Sequence, residues 1–137
     1  MVGIIVVAHG DLAGAFFETA QMIVGPADAF KSCSFAQGSD VDSLRKMLKT
    51  SIKEVNKGEG VIILTDMFGG TPSNISLSFL EYGKIEVITG VNLPMVITAL
   101  TKRAGKSLED LARLLKEGGA KNIHIASEIL ATNVAEK

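Results

Sequence analysis

The sequence of 137 residues contains one cysteine, no tryptophan and only 5% aromatic residues. The lone thiol, that of Cys33, excludes an internal disulfide and a metal site built from clustered cysteines, and it favours a reducing, cytoplasmic location. The 14 basic and 15 acidic residues nearly cancel, so the chain lacks the electrostatic footprint of a protein that binds nucleic acid or an anionic membrane. No apolar run approaches the roughly 20 residues that span a bilayer. These absences predict a soluble protein.

Hydrophobic residues make up 47% of the chain and charged residues 21%, which is typical of a compact globular protein. The length predicts one domain, residues 1–137, whose core is large enough to need neither disulfides nor a metal. The apolar start, Met1–Ala8, has no basic leader and predicts a buried strand in place of a signal peptide. Nucleotide binding has no support, because the P-loop and dinucleotide-binding glycine patterns are both missing.

Apolar and β-branched runs predict the strands, and helical spacing with capping residues predicts the helices. The predicted strands are Val2–Ala8, Lys31–Phe35, Val61–Thr65, Lys84–Thr89 and an alternating Lys121–Ser127. The predicted helices are Ala13–Val24, Val41–Asn56, Thr71 to a break at Tyr82-Gly83, Asn92–Lys102 and Ser107–Glu117. Alternating strands and helices predict an α/β fold, a doubly wound and mainly parallel sheet flanked by helices.

Two polar side chains follow strands of this predicted sheet. His9 comes after the first strand and Asp66 after the third, and the carboxyl ends of parallel strands share one edge of the sheet, where ligands bind. A neutral imidazole can act as nucleophile, base or metal ligand. A carboxylate that accepts a hydrogen bond from one ring nitrogen leaves the other free to attack. The alternatives are that His9 is a plain surface residue and that Asp66 caps the loop.

A glycine-rich loop follows Asp66 and opens the next helix. Gly69 and Gly70 allow a tight turn, and free amides at a helix start can hold a phosphoryl group, with Thr71 and Ser73 adding hydroxyls. Any capped helix start can look like this, so the loop gains meaning only beside His9 and Asp66. The segment after the fourth strand, Gly90–Met95, comes to the same edge. Each of its residues singly fits a turn and a helix start better, but the segment can wall the site.

Other polar and sulfur-containing residues are expected to be structural. Asp11 is expected to cap the first helix, His124 to point to solvent and Cys33 to pack in the core. Met22, Met67 and Met95 are expected to fill gaps in the core, with an apolar contact surface as the alternative.

Three motifs in order along the chain carry a resemblance to a known family. The stretches "VVAHGDLA", "LTDMFGGTPSN" and "VITGVNLPM" together resemble the enzyme IIA domain of the mannose family of the bacterial phosphoenolpyruvate-dependent sugar phosphotransferase system. The resemblance runs from about Met1 to beyond Arg113, nearly the whole chain.

The resemblance implies a phosphotransferase component that accepts a phosphoryl group on His9 from the histidine phosphocarrier protein and passes it to an enzyme IIB for sugar uptake. Membrane permease subunits are indirect partners, and neither a cofactor nor a metal is implied. Asp66 would orient the ring, while Thr71 and the amides of the Gly69-Gly70 loop would receive the phosphoryl oxygens. The family also implies a homodimer that exchanges its last strand, here Lys121–Ser127.

Departures from the family and rival functions bound this interpretation. No linker to a IIB domain follows, so we expect enzyme IIB on a separate polypeptide, and Phe68 stands where some relatives carry tryptophan. The sugar is not encoded in this chain, and regulation without transport is an alternative role. A tetrapyrrole metal chelatase would need a second histidine in the site, for which only His124 is available. A receiver module phosphorylated on Asp66 would need acidic residues where His9 stands.

Overall fold

The computed structural model describes residues 1–136, with the side chains up to Ala131. Strands and helices alternate along most of the chain, in the order β1 Gly3–His9, α1 Leu12–Val24, β2 Phe30–Phe35, α2 Val41–Val55, β3 Val61–Thr65, α3 Thr71–Leu77, β4 Ile85–Thr89, α4 Leu93–Lys102, α5 Leu108–Lys121 and α6 Ala126–Glu136. None of the helices in this described part combines the length and hydrophobicity that crossing a bilayer requires.

The four strands form one sheet in the order β2-β1-β3-β4, and all neighbouring pairs are parallel. Chain order reverses between β1 and β3, because β2 lies on one side of β1 and β3 on the other. The predicted doubly wound α/β fold is therefore confirmed, and the gap between the carboxyl ends of β1 and β3 is the place where such folds bind ligands.

Both faces of the sheet are covered, which explains why β1 reads as a continuous apolar run. Ile4, Val6 and Ala8 pack with α1, α4 and α5, whereas Ile5 and Val7 pack with α2 and α3. The two helix layers cover both faces of the central strands β1 and β3. A site built on these two strands therefore lies at their ends.

A buried arginine ties together the amino ends of β1 and β2. Arg103, just after α4, donates hydrogen bonds to the carbonyl oxygens of Val2 at 3.2 Å and Ala29 at 3.0 Å, and also to that of Asp28. Burial lowers the pKa of Arg103, against the opposing effect of the nearby Asp28 charge. Ala29 has a φ of 49°, a left-handed conformation unusual for a residue with a side chain. The Arg103 contact thus stabilises a strained turn.

The strand predicted at Lys121–Ser127 is wrong for the single chain. Helix α5 continues to Lys121, residues 123–125 have no regular structure, and α6 begins at Ala126. Ile123 and Ile125 alternate with His124 as in a strand, but all three are exposed. A strand needs a neighbour to accept and donate its backbone hydrogen bonds. The alternation therefore does not make a strand within this chain, and α6 was not predicted.

Helix α3 is shorter than predicted, because it ends at Leu77 and not near Tyr82. Its end is drawn into tighter turns, in which the amides of Phe79 and Leu80 each bond to the carbonyl three residues earlier. The Ser78 hydroxyl also donates to the Ile75 carbonyl at 2.6 Å. Competition from this hydroxyl and the tight turns explains the early end of α3.

Candidate active site

The carboxyl ends of β1 and β3 bring His9 and Asp66 into direct contact. Val7 pairs with Thr65 in the sheet, so His9, two residues beyond Val7, and Asp66, one beyond Thr65, leave the sheet at neighbouring positions. The backbone amide of His9 donates to Asp66 Oδ2 at 3.0 Å, and His9 Nδ1 lies 2.7 Å from the same oxygen. The sequence separation of 57 residues is thus closed by the parallel register, and the predicted partnership of the two side chains is present.

Asp66 is well suited to orient the ring. Its side chain is only 11% exposed, against 46% for His9, and its second oxygen, Oδ1, accepts the Met67 amide at 3.0 Å. Burial raises the pKa of Asp66, but the hydrogen bonds and charge of His9 together outweigh burial and lower this pKa below its usual value. An ionised carboxylate only accepts hydrogen bonds. Nδ1 is therefore the donor to Asp66, and in the neutral form of the ring the lone pair lies on Nε2.

The same contacts disfavour Asp66 as a phosphoryl acceptor. Both of its carboxylate oxygens are held by donors from His9 and Met67, and the side chain is largely buried. The receiver-like alternative needs this carboxylate free to attack. The exposed ring of His9 is the better nucleophile of the two.

The glycine loop passes against the free side of the imidazole. Gly70 has a φ of 86°, and a Cβ added there would lie 3.1 Å from both Cε1 and Nε2 of His9. The positive φ favours glycine at this position, and a side chain there would crowd the His9 ring. Thr71 follows as the first residue of α3, where an amide has no partner within the helix. Of the predicted phosphoryl-binding residues, Gly70 thus lies against the nitrogen that Asp66 leaves free, with Gly69 and Thr71 as its neighbours in the chain.

Ser73 differs from the role first given to it. Its side chain is fully buried, and its hydroxyl oxygen accepts the Gly69 amide at 3.3 Å. The hydroxyl that was expected to face a ligand is turned towards the backbone of the loop. The sequence shows that Ser73 lies three residues after Gly70, but it does not show the direction of the hydroxyl.

Phe35 is a site residue that the sequence analysis missed. The last residue of β2 pairs with His9 in the sheet, its carbonyl accepts the Gly10 amide at 2.8 Å, and its ring meets the His9 ring edge-on with centroids 6.5 Å apart. The sequence did offer one signal for Phe35. It is the last residue of a predicted parallel strand, and such strands end at the same side of the sheet as His9.

The segment after β4 reaches the same edge, as expected. The amides of Gly90 and Val91 donate to the Thr65 carbonyl at 3.0 and 2.9 Å. Asn92 caps α4 through a 3.0 Å bond from the Met95 amide, and its Nδ2 donates to the Gly119 carbonyl at 2.9 Å. This segment therefore adjoins Asp66 through the end of β3.

Several expectations about single residues need correction. Met22 and Met67 are 79% and 56% exposed, so they do not fill the core, whereas Met95 does. Asp11 occupies the N-cap position of α1, but its side chain makes no capping hydrogen bond, because the backbone there is not in the extended conformation that directs a cap side chain at the helix amides.

Two other expectations about single residues are confirmed. Cys33 is buried with its sulfur 3.4 Å from the Ser51 hydroxyl, and His124 is exposed. Within the described part of the chain, no group of three or more His, Cys, Asp or Glu side chains is placed to hold a metal ion.

The fold and this site define a class of protein, an α/β domain that presents a carboxylate-oriented histidine at the carboxyl edge of a parallel sheet. A family model described as the PTS system fructose IIA component matches residues 3–116. The chain belongs to this family, the mannose-type enzyme IIA components of the sugar phosphotransferase system. The resemblance seen in the three sequence motifs is thereby confirmed.

Two relatives and one solved structure show how far the similarity extends. The chain is 31% identical to the fructose-specific EIIA component of Bacillus subtilis, covering 95% of this chain and 90% of that protein. It is 28% identical to the mannose-specific EIIAB component of Escherichia coli, covering 89% of this chain but only 38% of that protein. The crystal structure of phosphotransferase system component EIIA from Streptococcus agalactiae has a TM-score of 0.84 at 26% identity, covering 93% and 99% of the two chains.

Proposed function

We propose that this protein is a cytoplasmic phosphoryl carrier that uses His9 as its phosphorylated residue and needs no metal or cofactor. The donor is the histidine phosphocarrier protein, and the acceptor is an enzyme IIB that serves membrane permease subunits. The 2.7 Å contact between His9 Nδ1 and Asp66 Oδ2 carries the proposal, because it commits one ring nitrogen to the carboxylate and leaves Nε2 as the nucleophile.

The reaction exchanges one nitrogen–phosphorus bond for another. The Nε2 lone pair attacks phosphorus, and the bond to the donor's histidine breaks with its electron pair returning to that ring. The positive charge that develops on the His9 ring is stabilised by Asp66. Onward transfer to enzyme IIB reverses these steps. Such transfer depends mainly on positioning and on stabilising charge at the equatorial oxygens.

The loop beside Nε2 supplies the groups that would receive those oxygens. The space that a Cβ on Gly70 would occupy lies 3.1 Å from His9 Nε2, and the amide and hydroxyl of Thr71 stand at the start of α3. Because the Gly69 amide already donates to Ser73, Gly69 contributes through its conformation more than through its N–H. This refines the role that the resemblance implies for Gly69.

Incubation with phosphoenolpyruvate, enzyme I and the phosphocarrier protein, followed by intact mass measurement, tests the proposal. We expect one phosphoryl group per chain, lost in His9→Ala and kept in His124→Ala, which removes the other histidine. A phosphohistidine is lost in acid and retained at alkaline pH, and we expect the label to behave in this way. An acyl phosphate on Asp66 would be lost under both conditions. Labelling that persists in His9→Ala would overturn the assignment.

The family implication of a homodimer also becomes a proposal here. Strand β4 is an edge of the sheet, and a groove of about 730 Å³ lies between it and α5. Ile123 and Ile125 are 76% and 63% exposed in the chain that follows α5. Exposed apolar side chains and an open strand edge are features that an assembling subunit covers. We assign the segment Lys121–Ser127 to that interface, exchanged between the two subunits.

The names of the relatives do not select a substrate for this chain. The matched proteins are described as fructose-specific in Bacillus subtilis and mannose-specific in Escherichia coli, at 31% and 28% identity. The His9 site binds a phosphoryl group and not a sugar. The sugar is therefore a property of the partner subunits, and regulation without transport is compatible with the same chemistry.

A further inference from the structure

We infer that Ser73 is a positioning residue, which holds the Gly69-Gly70 loop in the conformation that places Gly70 against the free nitrogen of His9. The inference rests on the proposed function of His9. Ser73 does not touch the ring or the phosphoryl group in this assignment. It acts through the backbone of the loop.

The loop has little else to hold it. Gly69 and Gly70 have φ values of 91° and 86°, and neither carries a side chain that could pack. Consecutive glycines lose more conformational entropy on ordering than any other pair. The first turn of α3 restrains them through two hydrogen bonds, from the Asn74 amide to the Gly70 carbonyl at 3.0 Å and from the Gly69 amide to the Ser73 hydroxyl at 3.3 Å. Only the second depends on a side chain.

The Ser73 contact also decides which amides face a ligand. Ser73 is fully buried, so the Gly69 N–H that donates to it is directed into the protein. Gly70, where an added Cβ would lie 3.1 Å from His9 Nε2, and Thr71, the first residue of α3, follow directly in the chain. Loss of the hydroxyl would release the Gly69 amide and widen the range of loop conformations. A misplacement of about 1 Å can slow an enzymatic reaction by up to about 100-fold.

A second serine on the same helix provides a matched control. Ser76 is as fully buried as Ser73, but its hydroxyl donates to the Pro72 carbonyl at 2.7 Å, within α3 itself. Replacing either serine with alanine deletes one buried hydroxyl from α3. Only Ser73→Ala also removes a bond to the loop.

The experiment compares wild type, Ser73→Ala and Ser76→Ala in the phosphorylation assay over a range of phosphocarrier concentrations. We expect the maximal rate of phosphoryl transfer to fall about 10-fold in Ser73→Ala, with the half-saturating phosphocarrier concentration within about twofold of wild type, because the docking surface is unchanged. Ser76→Ala should keep both values. The conservative Ser73→Thr, which keeps the hydroxyl, should recover most of the rate. Equal maximal rates in the two alanine variants would overturn the inference.

Amide hydrogen exchange supplies a readout that needs no variant and no phosphorylation. The Gly69 amide of wild type should be protected, unlike that of an unbonded loop glycine, and an unprotected Gly69 amide would overturn the inference even if Ser73→Ala does not fold. Absence of phosphorylation in wild type would instead reject the proposed function. The two failures are therefore distinguishable.

Discussion

At the scale of single residues, the proposed mechanism makes His9 the reactive group and Asp66 the group that orients it. His9 is the more exposed of the two side chains and Asp66 the more buried. A partner protein can therefore reach the ring but not the carboxylate. Asp66 also binds the His9 backbone amide, so it fixes both the main chain and the ring of the residue it serves.

Replacing Asp66 with asparagine should separate orientation from folding. The amide can still occupy the space but no longer stabilises a positive ring or enforces one tautomer, so we expect phosphorylation to slow by about 10–100-fold with the fold retained. Initial rates by intact mass measure the first effect and circular dichroism the second. Asp11→Asn, which alters a neighbouring carboxylate without a capping bond, should react at the wild-type rate. An unchanged rate in Asp66→Asn would remove Asp66 from the mechanism.

The pH dependence of stability offers an independent measure of the same contact. The pKa of Asp66 is lower in the folded protein than its ordinary value, which is about 3.9 for an unfolded chain. The resulting stabilisation is fully present above the unfolded pKa and disappears as the pH falls through the folded pKa. Urea unfolding between about pH 6 and pH 3 should therefore show a steeper acid loss in wild type than in Asp66→Asn. Parallel curves would contradict the prediction.

At the scale of elements, the sequence predicts what local chemistry controls. Strand β3 was predicted with the bounds found, Val61–Thr65, because glycines precede it and a polar residue follows it. Helix α2 was predicted to within one residue, since Asp40 accepts the Asp42 amide as a cap and an apolar stripe faces the sheet. His9 and Asp66 were paired because a parallel sheet gathers its carboxyl ends. These features need no knowledge of distant contacts.

The sequence predictions fail where a structure depends on contacts between residues that are distant in the chain or on the direction of a side chain, because residue spacing reveals neither. The alternation around His124 is that of a strand, but no strand of the same chain pairs with it. Phe35 joins the site through pairing between β1 and β2. Ser73 looked like a ligand group, although a buried hydroxyl beside a glycine loop bonds to the backbone instead.

Arg103 is a further contact of this kind, and it predicts a large effect on stability. Replacement with methionine keeps the bulk but removes the donors to the carbonyls of Val2, Asp28 and Ala29, so we expect the free energy of unfolding to fall by about 3 kcal/mol. Urea unfolding measures this loss. Lys102→Met, at the exposed neighbouring position, should change stability by less than about 0.5 kcal/mol.

The Arg103→Met variant also tests whether contacts at the amino ends of the strands affect the reactivity of His9 at the carboxyl end. Arg103 binds the amino ends of β1 and β2, whereas His9 lies at the carboxyl end of β1. Under conditions in which Arg103→Met remains folded, His9 should be phosphorylated at the wild-type rate. A slower rate would mean that the Arg103 contacts also control the active-site edge.

At the scale of the whole molecule, the residues that build the core lie in a different part of the chain from the exposed apolar residues near its end. Among the residues whose side chains the structure describes, none beyond Leu115 belongs to either core cluster. Within the same part of the chain, the segment that follows α5 exposes Ile123, Ile125, Ile129 and Leu130. These four side chains lie outside the monomer core. The proposed homodimer interface explains their apolar character.

Truncation after Asn122 tests that role directly. Because all described members of both core clusters lie before this point, we expect the shortened chain to fold and to be phosphorylated on His9. Sedimentation equilibrium should give the mass of two chains for the full protein and of one chain for the truncated form, since the exchanged segment is then missing from the β4 edge. His124→Ala, which changes the segment at a side chain without an apolar surface, should remain a dimer. A full-length monomer would refute the homodimer, and a truncated form that stays dimeric would place the interface elsewhere.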